Sequence, residues 1–436
     1  MEKSILNIKP EHFDSLLPGD GYHDSIEFAE DVDNRDPLSH YREKFHIPLH
    51  KSGKDVIYFC GNSLGLQPKG TRGILKQELD DWRDYGVEAH FEATRPWYSY
   101  HELLRESASD LVGAMPHEVV MMNSLTVNLH LMLVSFYRPE KSRYKILIEK
   151  NAFPSDHYAV ESHANLHGYD PEDAIIYAEP SDGELFIRTE NIIETIDKYG
   201  SEIALVLIGG VNYFTGQFFE IDKITQAAHR SGCVAGFDLA HAAGNLDLKL
   251  HEWDVDFAVW CTYKYLNGGP GATAGAYINE RHVQNRDLKR LAGWWGNDPD
   301  TRFEMKPGFV PVTSADGWQV SNPSIFAMAP LIESHAMFKE VGMDTLRAKS
   351  VILTGYLEYL VENSDAKIKI ITPSNPSERG CQLSLIVDDN PKERVEKLRD
   401  NGVICDFREP NVIRVAPVPF YNTFTDVYKF IEILRS

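Results

Sequence analysis

Between Gly232 and Gly271 the chain reads GCVAGFDLAHAAGNLDLKLHEWDVDFAVWCTYKYLNGGPG, and here an acid, a histidine, a phenol and a lysine follow two short apolar runs. Asp238 and His241 come directly after Cys233 to Phe237, and Tyr263 and Lys264 come just after Asp256 to Trp260. An amine that loses its charge on partial burial can attack an aldehyde, and a carboxylate can keep a heteroaromatic ring nitrogen protonated. That combination suits pyridoxal 5'-phosphate (PLP), with Lys264 joined to the cofactor and Asp238 on its ring nitrogen. Taken singly, Asp238 also reads as a helix cap, His241 as a satisfied core histidine and Lys264 as a solvated loop residue. The strand context of all three together favours the cofactor reading.

The elements that must position these groups are short apolar runs alternating with helix-like segments. Lys145 to Glu149, Ala174 to Ala178, Ala204 to Ile208 and Val234 to Phe237 read as buried strands of repeated βα units, hence an α/β domain with a mostly parallel sheet. Ligands of such sheets sit at the carboxyl ends of the strands, which sets Asp238 and Lys264 at one crevice. Asn123 to Thr126 precede an apolar helix, so their hydroxyls are expected to cap it, and its free amide hydrogens suit a phosphate. The large domain is expected over residues 56–330, behind an exposed, acidic N-terminal arm at 1–55. A smaller α+β domain is expected over 331–436. In it, Arg414 ends a short apolar strand; its fork suits a substrate carboxylate, and an internal salt bridge is the plainer reading.

The chain resembles the kynureninases, PLP enzymes of the aminotransferase class V-like fold type I. FDLAHAAGN and WCTYKYLNGGPG carry the resemblance, together with YFCGNSLGLQPKG at 58–70, RPW at 95–97, FPSDHYA at 153–159, GVNYFTGQ at 210–217, GWWG at 293–296, SNPSI at 321–325, RGCQL and IRVAPVPFYN. These motifs occur in order over nearly the whole chain. The resemblance implies hydrolysis of the Cβ–Cγ bond of L-kynurenine or 3-hydroxy-L-kynurenine, giving L-alanine and an anthranilate.

It further implies that Leu125 and Thr126 contact the cofactor phosphate, that Phe153 stacks on its ring, and that Asp156 lies beside it. His241 would support Asp238, Lys264 would serve as the catalytic base, and Tyr263 would help hold the phosphate and pass protons. Trp294 and Asn322 would reach across the subunit boundary of a homodimer with shared sites. Ser63, His90, Asn322 and Arg414 would meet the substrate, His90 and Asn322 favouring the ring hydroxyl. Where some members carry a serine, this chain has Gly209, so that contact must come from backbone or water.

Composition bounds the rest. A length of 436 residues exceeds a single core. The formal net charge of −21 argues against nucleic acid or an anionic membrane as partner. Cys60, Cys233, Cys261, Cys381 and Cys405 are scattered without metal-like spacing, and suggest reduced thiols in a cytoplasmic protein. The opening MEKSILNIKPEHFDS lacks the apolar core of a secretory signal. Two other readings stand beside the hydrolase: a cysteine desulfurase or aminotransferase of the same fold, and a catalytically silent PLP-fold or nucleotide-binding protein. A desulfurase needs a mobile nucleophilic cysteine, and Cys381 and Cys405 fall in strand-like contexts.

Overall fold

Strands with no polar face must be covered on both sides, and the central sheet meets that demand. The computed structural model describes residues 8–19, 21–364 and 367–435. Its seven-stranded sheet consists of β1 (Val119–Met121), β2 (Lys145–Glu149), β3 (Ile175–Ala178), β4 (Ile203–Gly209), β5 (Val234–Asp238), β6 (Phe257–Trp260) and β7 (Gly275–Ile278). The spatial order is β1-β7-β6-β5-β4-β2-β3. β3, β2, β4, β5 and β6 run parallel, and β7 is antiparallel to both its neighbours. Alternation divides the side chains between two cores: Leu147, Val206 and Phe237 pack to one side, Ile146, Ile148 and Leu205 to the other.

A second, antiparallel sheet holds β8 (Ile368–Ile370), β9 (Leu383–Val387), β10 (Asp406–Arg408) and β11 (Val412–Val415), in the order β8-β9-β11-β10. The sequence reading omits β10, which is only three residues long. Val403–Ile404 pairs not with this sheet but with Ile57–Tyr58, parallel.

The helices that matter for the site are α1 (Ile26–Arg35), α2 (Thr71–Tyr85), α3 (Leu125–Phe136), α4 (Pro154–Leu166), α5 (Ile325–Val341), α6 (Met343–Glu362) and α7 (Phe424–Arg435). The N-terminal segment differs from the exposed arm expected of it. Phe13, Phe28, Ala29 and Val32 are buried. Asp33 caps α7 by accepting from the amides of Phe424 (2.7 Å) and Thr425 (2.9 Å), and Asp36 forms a buried 2.7 Å ion pair with Lys349 of α6. Its acidity is thus partly spent on helix ends and a lysine rather than on solvent. The signal-peptide reading of the first seven residues lies outside the described residues. Pro330, the expected end of the large domain, falls inside α5.

Candidate functional site

Four parallel strands bring their carboxyl ends to one cleft. β2 ends on Glu149, β4 on Gly209 and β5 on Asp238, while the turn after β6 brings Tyr263 and Lys264. The amino ends of α3 and α4 close another wall with Leu125, Thr126, Phe153, Ser155 and Asp156. Of the sequence-derived candidates, Leu125, Thr126, Phe153, Asp156, Asp238, His241, Tyr263 and Lys264 therefore meet in one place.

Lys264 Nζ lies 2.9 Å from His241 Nε2. Burial, with the charges of Lys264, Arg414 and Arg408 behind it, holds the imidazole well below its usual range, so the ring is neutral. A neutral ring accepts the lysine proton at Nε2 and carries its own on Nδ1, which is buried without a partner. Asp238 accepts from the amide of Ala240 at 2.8 Å. Burial raises both Asp238 and Asp156, and the neighbouring Asp238 charge pushes Asp156 further up. Two carboxyls this close retain a proton between them. Burial also raises the Tyr263 phenol, which stays protonated.

Five residues lining the cleft were not among the sequence-derived candidates: Glu149, Ser155, Val211, Tyr213 and Ala240. Glu149 is 2% exposed, and burial pushes its carboxyl up to about 7. Its Oε1 accepts from Asn212 Nδ2 at 3.2 Å, and its Oε2 has no partner. An acid closing an apolar strand was its only signal. A Cβ on Gly209 would stand 3.2 Å from Glu149 Oε1, so the glycine gives that carboxyl room. Ser155 Oγ and Thr126 Oγ1 are 2.9 Å apart where α3 and α4 begin. Ser124 holds the N-cap position of α3, yet its side chain makes no capping bond; the expected cap is absent and the amides stay open toward the cleft.

Ser63, His90, Trp294, Asn322 and Arg414 do not line the cleft. Ser63 is exposed, but its loop reaches the lysine segment: Gly65 N donates to Tyr263 O at 2.8 Å. A Cβ on Gly65 would lie 2.3 Å from Lys264 O, so the glycine in GNSLG serves chain-to-chain approach. His90 packs on Trp97, with Nδ1 2.9 Å from Val87 O. Trp294 and Asn322 are exposed. Arg414 is 1% exposed and ion-paired with Asp406, while its Nη1 donates to Tyr213 O at 2.6 Å, one residue that does line the cleft. The internal salt bridge expected as the plainer reading is thus present. Burial pushes the Cys381 and Cys405 thiols up to about 12, so neither is the thiolate a desulfurase would need.

The unpartnered His241 Nδ1, Asp156 Oδ1 and Glu149 Oε2, two helix amino ends bearing hydroxyls, and one lysine fit a ligand with a phosphate, a ring nitrogen and a carbonyl.

A family model described as the kynureninase C-terminal domain matches residues 346–434. Kynureninase from Myxococcus xanthus (strain DK1622) is 53% identical over 416 residues, 95% of this chain and 98% of the relative. The kynureninase of Nematostella vectensis is 45% identical over 435 residues, covering 94% of each. Among solved structures, a cysteine desulfurase from Thermococcus onnurineus NA1 superposes with a TM-score of 0.73 at 18% identity, covering 91% of this chain and 96% of that one. The complex between the cystine C-S lyase C-DES and its product cysteine persulfide gives 0.75 at 15% identity, covering 87% and 97%. At such identities these two matches show a shared fold alone.

Proposed function

This chain belongs to the kynureninase family, and from that premise we propose how its residues divide the work of cleaving L-kynurenine or 3-hydroxy-L-kynurenine to L-alanine and anthranilate or 3-hydroxyanthranilate. PLP is the cofactor. Lys264, Asp238, Asp156, His241, Phe153 and the α3 and α4 amino ends, with Leu125, Thr126 and Ser155, would hold it. When bound, it draws electrons from the substrate's α carbon and so makes the α proton removable.

Lys264 is the base for that proton. Its partner His241, neutral and 2.9 Å away, accepts from the amine without adding charge and keeps Nζ aimed across the cleft. Asp238 and Asp156, sharing a proton, hold a ring nitrogen in its protonated form. Tyr263 keeps its phenolic proton and can donate it as water adds to the γ carbonyl and the aryl acid leaves. Arg414, beside Tyr213, binds the α-carboxylate.

Support for a homodimer comes from an aromatic row in which exposed Phe91, Phe303 and Trp294 surround half-buried Tyr98: Phe91 stacks on Tyr98 at 5.7 Å, Tyr98 lies tilted 6.0 Å from Phe303, and Trp294 meets Phe303 edge-on at 5.8 Å. Apolar surface of this kind favours a partner. In such a dimer Trp294 and Asn322 complete the neighbouring cofactor site, and Ser63, His90 and Asn322 border the aryl pocket, where hydrogen bonding favours the 3-hydroxy substrate. With that activity we assign the protein a role in tryptophan degradation on a route to NAD, in the cytoplasm, where its free cysteines would stay reduced.

The observation that carries this assignment is the Lys264–His241 pair facing Asp238 and Asp156 across one cleft. The test is release of alanine from kynurenine by the purified protein, alongside Lys264→Ala. Turnover by the parent is expected, with none from the variant. Borohydride reduction should attach the cofactor to Lys264, and a cofactor mass on another lysine would remove its assigned role.

A further inference from the structure

The small sheet turns one polar face toward the cleft. Arg414 on β11 stands opposite Ser384 of β9 and Asp406 of β10. Residues two apart on a strand share a face, so Arg408 lies beside Asp406. This face meets the loop that carries Tyr213: Gln382 Nε2 donates to Tyr213 O at 3.1 Å, Ser384 Oγ to Phe214 O at 2.6 Å, and Arg414 Nη1 to Tyr213 O at 2.6 Å.

Asp406 Oδ2 accepts from both Arg414 and Arg408, the latter at 3.1 Å. Two guanidiniums thus share one carboxylate, and the trio keeps one positive charge. Arg414 is sealed, whereas the Arg408 side chain is 39% exposed. The Nε of each is buried and unpartnered. Both charges act on His241, which places them on the lysine side of the cleft. Tyr213 O and Asp406 each take one N–H from an Arg414 terminal nitrogen, and the Arg408 guanidinium beside Asp406 adds its own donors for a two-oxygen anion.

We propose that Asp406 and Arg408 complete, with Arg414, the subsite for the substrate's α-carboxylate, Arg408 supplying a second guanidinium and Asp406 acting as the positioning residue that holds the two together. This rests on the kynureninase reading above. The lone excess charge matches a single carboxylate, and a neutral or cationic group at that position gains nothing from it.

The test uses holoenzyme carrying Arg408→Gln, Arg408→Lys or Asp406→Asn, with intact cofactor absorbance and melting temperature as the fold control. Kinetics on L-kynurenine are paired with spectrally monitored binding of L-alanine and of decarboxylated kynurenine, the amine lacking the carboxylate. Arg408→Gln should raise KM for kynurenine and Kd for alanine about tenfold with kcat within threefold, and leave the amine's Kd unchanged. Arg408→Lys should recover part of the loss, and Asp406→Asn should follow Arg408→Gln. Unchanged KM and Kd, or equal weakening of the amine, overturns the proposal. Alanine binding separates the two readings: a parent that binds alanine in this carboxylate-dependent way but leaves kynurenine intact refutes the activity and keeps the subsite.

Discussion

Glu149 illustrates how a single side chain acquires its properties from its surroundings. At the end of a strand in an isolated peptide it would ionise near 4.5; buried beside Asp238 it does so at about 7. In the cofactor-free protein the folded state therefore keeps a proton that the unfolded chain releases. Stability from the neutral carboxyl is full below pH 4.5 and is lost as pH rises through 7. Glu149→Gln should remove this dependence, so its unfolding free energy relative to the parent should rise by roughly 3 kcal/mol between pH 4.5 and 8. Urea unfolding at both pH values measures it; an offset independent of pH would mean that Glu149 is ionised throughout. Asp238, His241 and Lys264, by contrast, declared themselves in the sequence because acid, imidazole and amine stood at the ends of two apolar runs.

At the scale of elements, the RPW motif at 95–97 is one of those that carry the family resemblance. It is also an anchor. Glu78 of α2, fully buried, accepts from Arg95 Nε at 2.6 Å, Trp97 Nε1 at 3.0 Å and Tyr100 OH at 2.9 Å. A carboxylate on a helix rich in charge gives no sign in the sequence that it will be buried, since its three partners arrive from 17 to 22 residues away. Glu78→Ala strands a partly buried guanidinium and should cost about 3 kcal/mol. A lower urea midpoint with an unchanged slope would show it, and a loss below 0.5 kcal/mol, on the order of a surface change, would mean that the segment holds without Glu78. The same network fixes the segment carrying His90.

For the whole molecule, the exposed rings of Phe91, Phe303 and Trp294 around Tyr98 and the separation of Trp294 and Asn322 from their own cleft lead to one expectation. Mixing inactive Lys264→Ala with inactive Trp294→Ala subunits should restore activity, because half the dimers formed are mixed and each mixed dimer has one site free of both lesions. About a quarter of parental activity per site is the ceiling for full exchange by two-fold symmetry. No recovery after demonstrated exchange, or a fully active monomer in sedimentation, would place Trp294 outside the partner's site.

The parallel sheet, its strand boundaries to within a residue or two, and the gathering of Lys264, His241 and Asp238 were legible in the residues themselves, with Thr126 at a helix end suited to phosphate, whereas Phe153 and Asp156 entered only through the family resemblance. Apolar runs without alternation bury both faces, and a strand that ends on a polar residue places it at the sheet's edge. Tertiary structure alone decided the rest. Asp33 and Asp36 turned from solvent to α7 and Lys349, Glu149 and Ser155 joined the cleft, and Arg414 found Asp406. A charged residue's environment depends on partners far along the chain, and no local period encodes which of them will arrive.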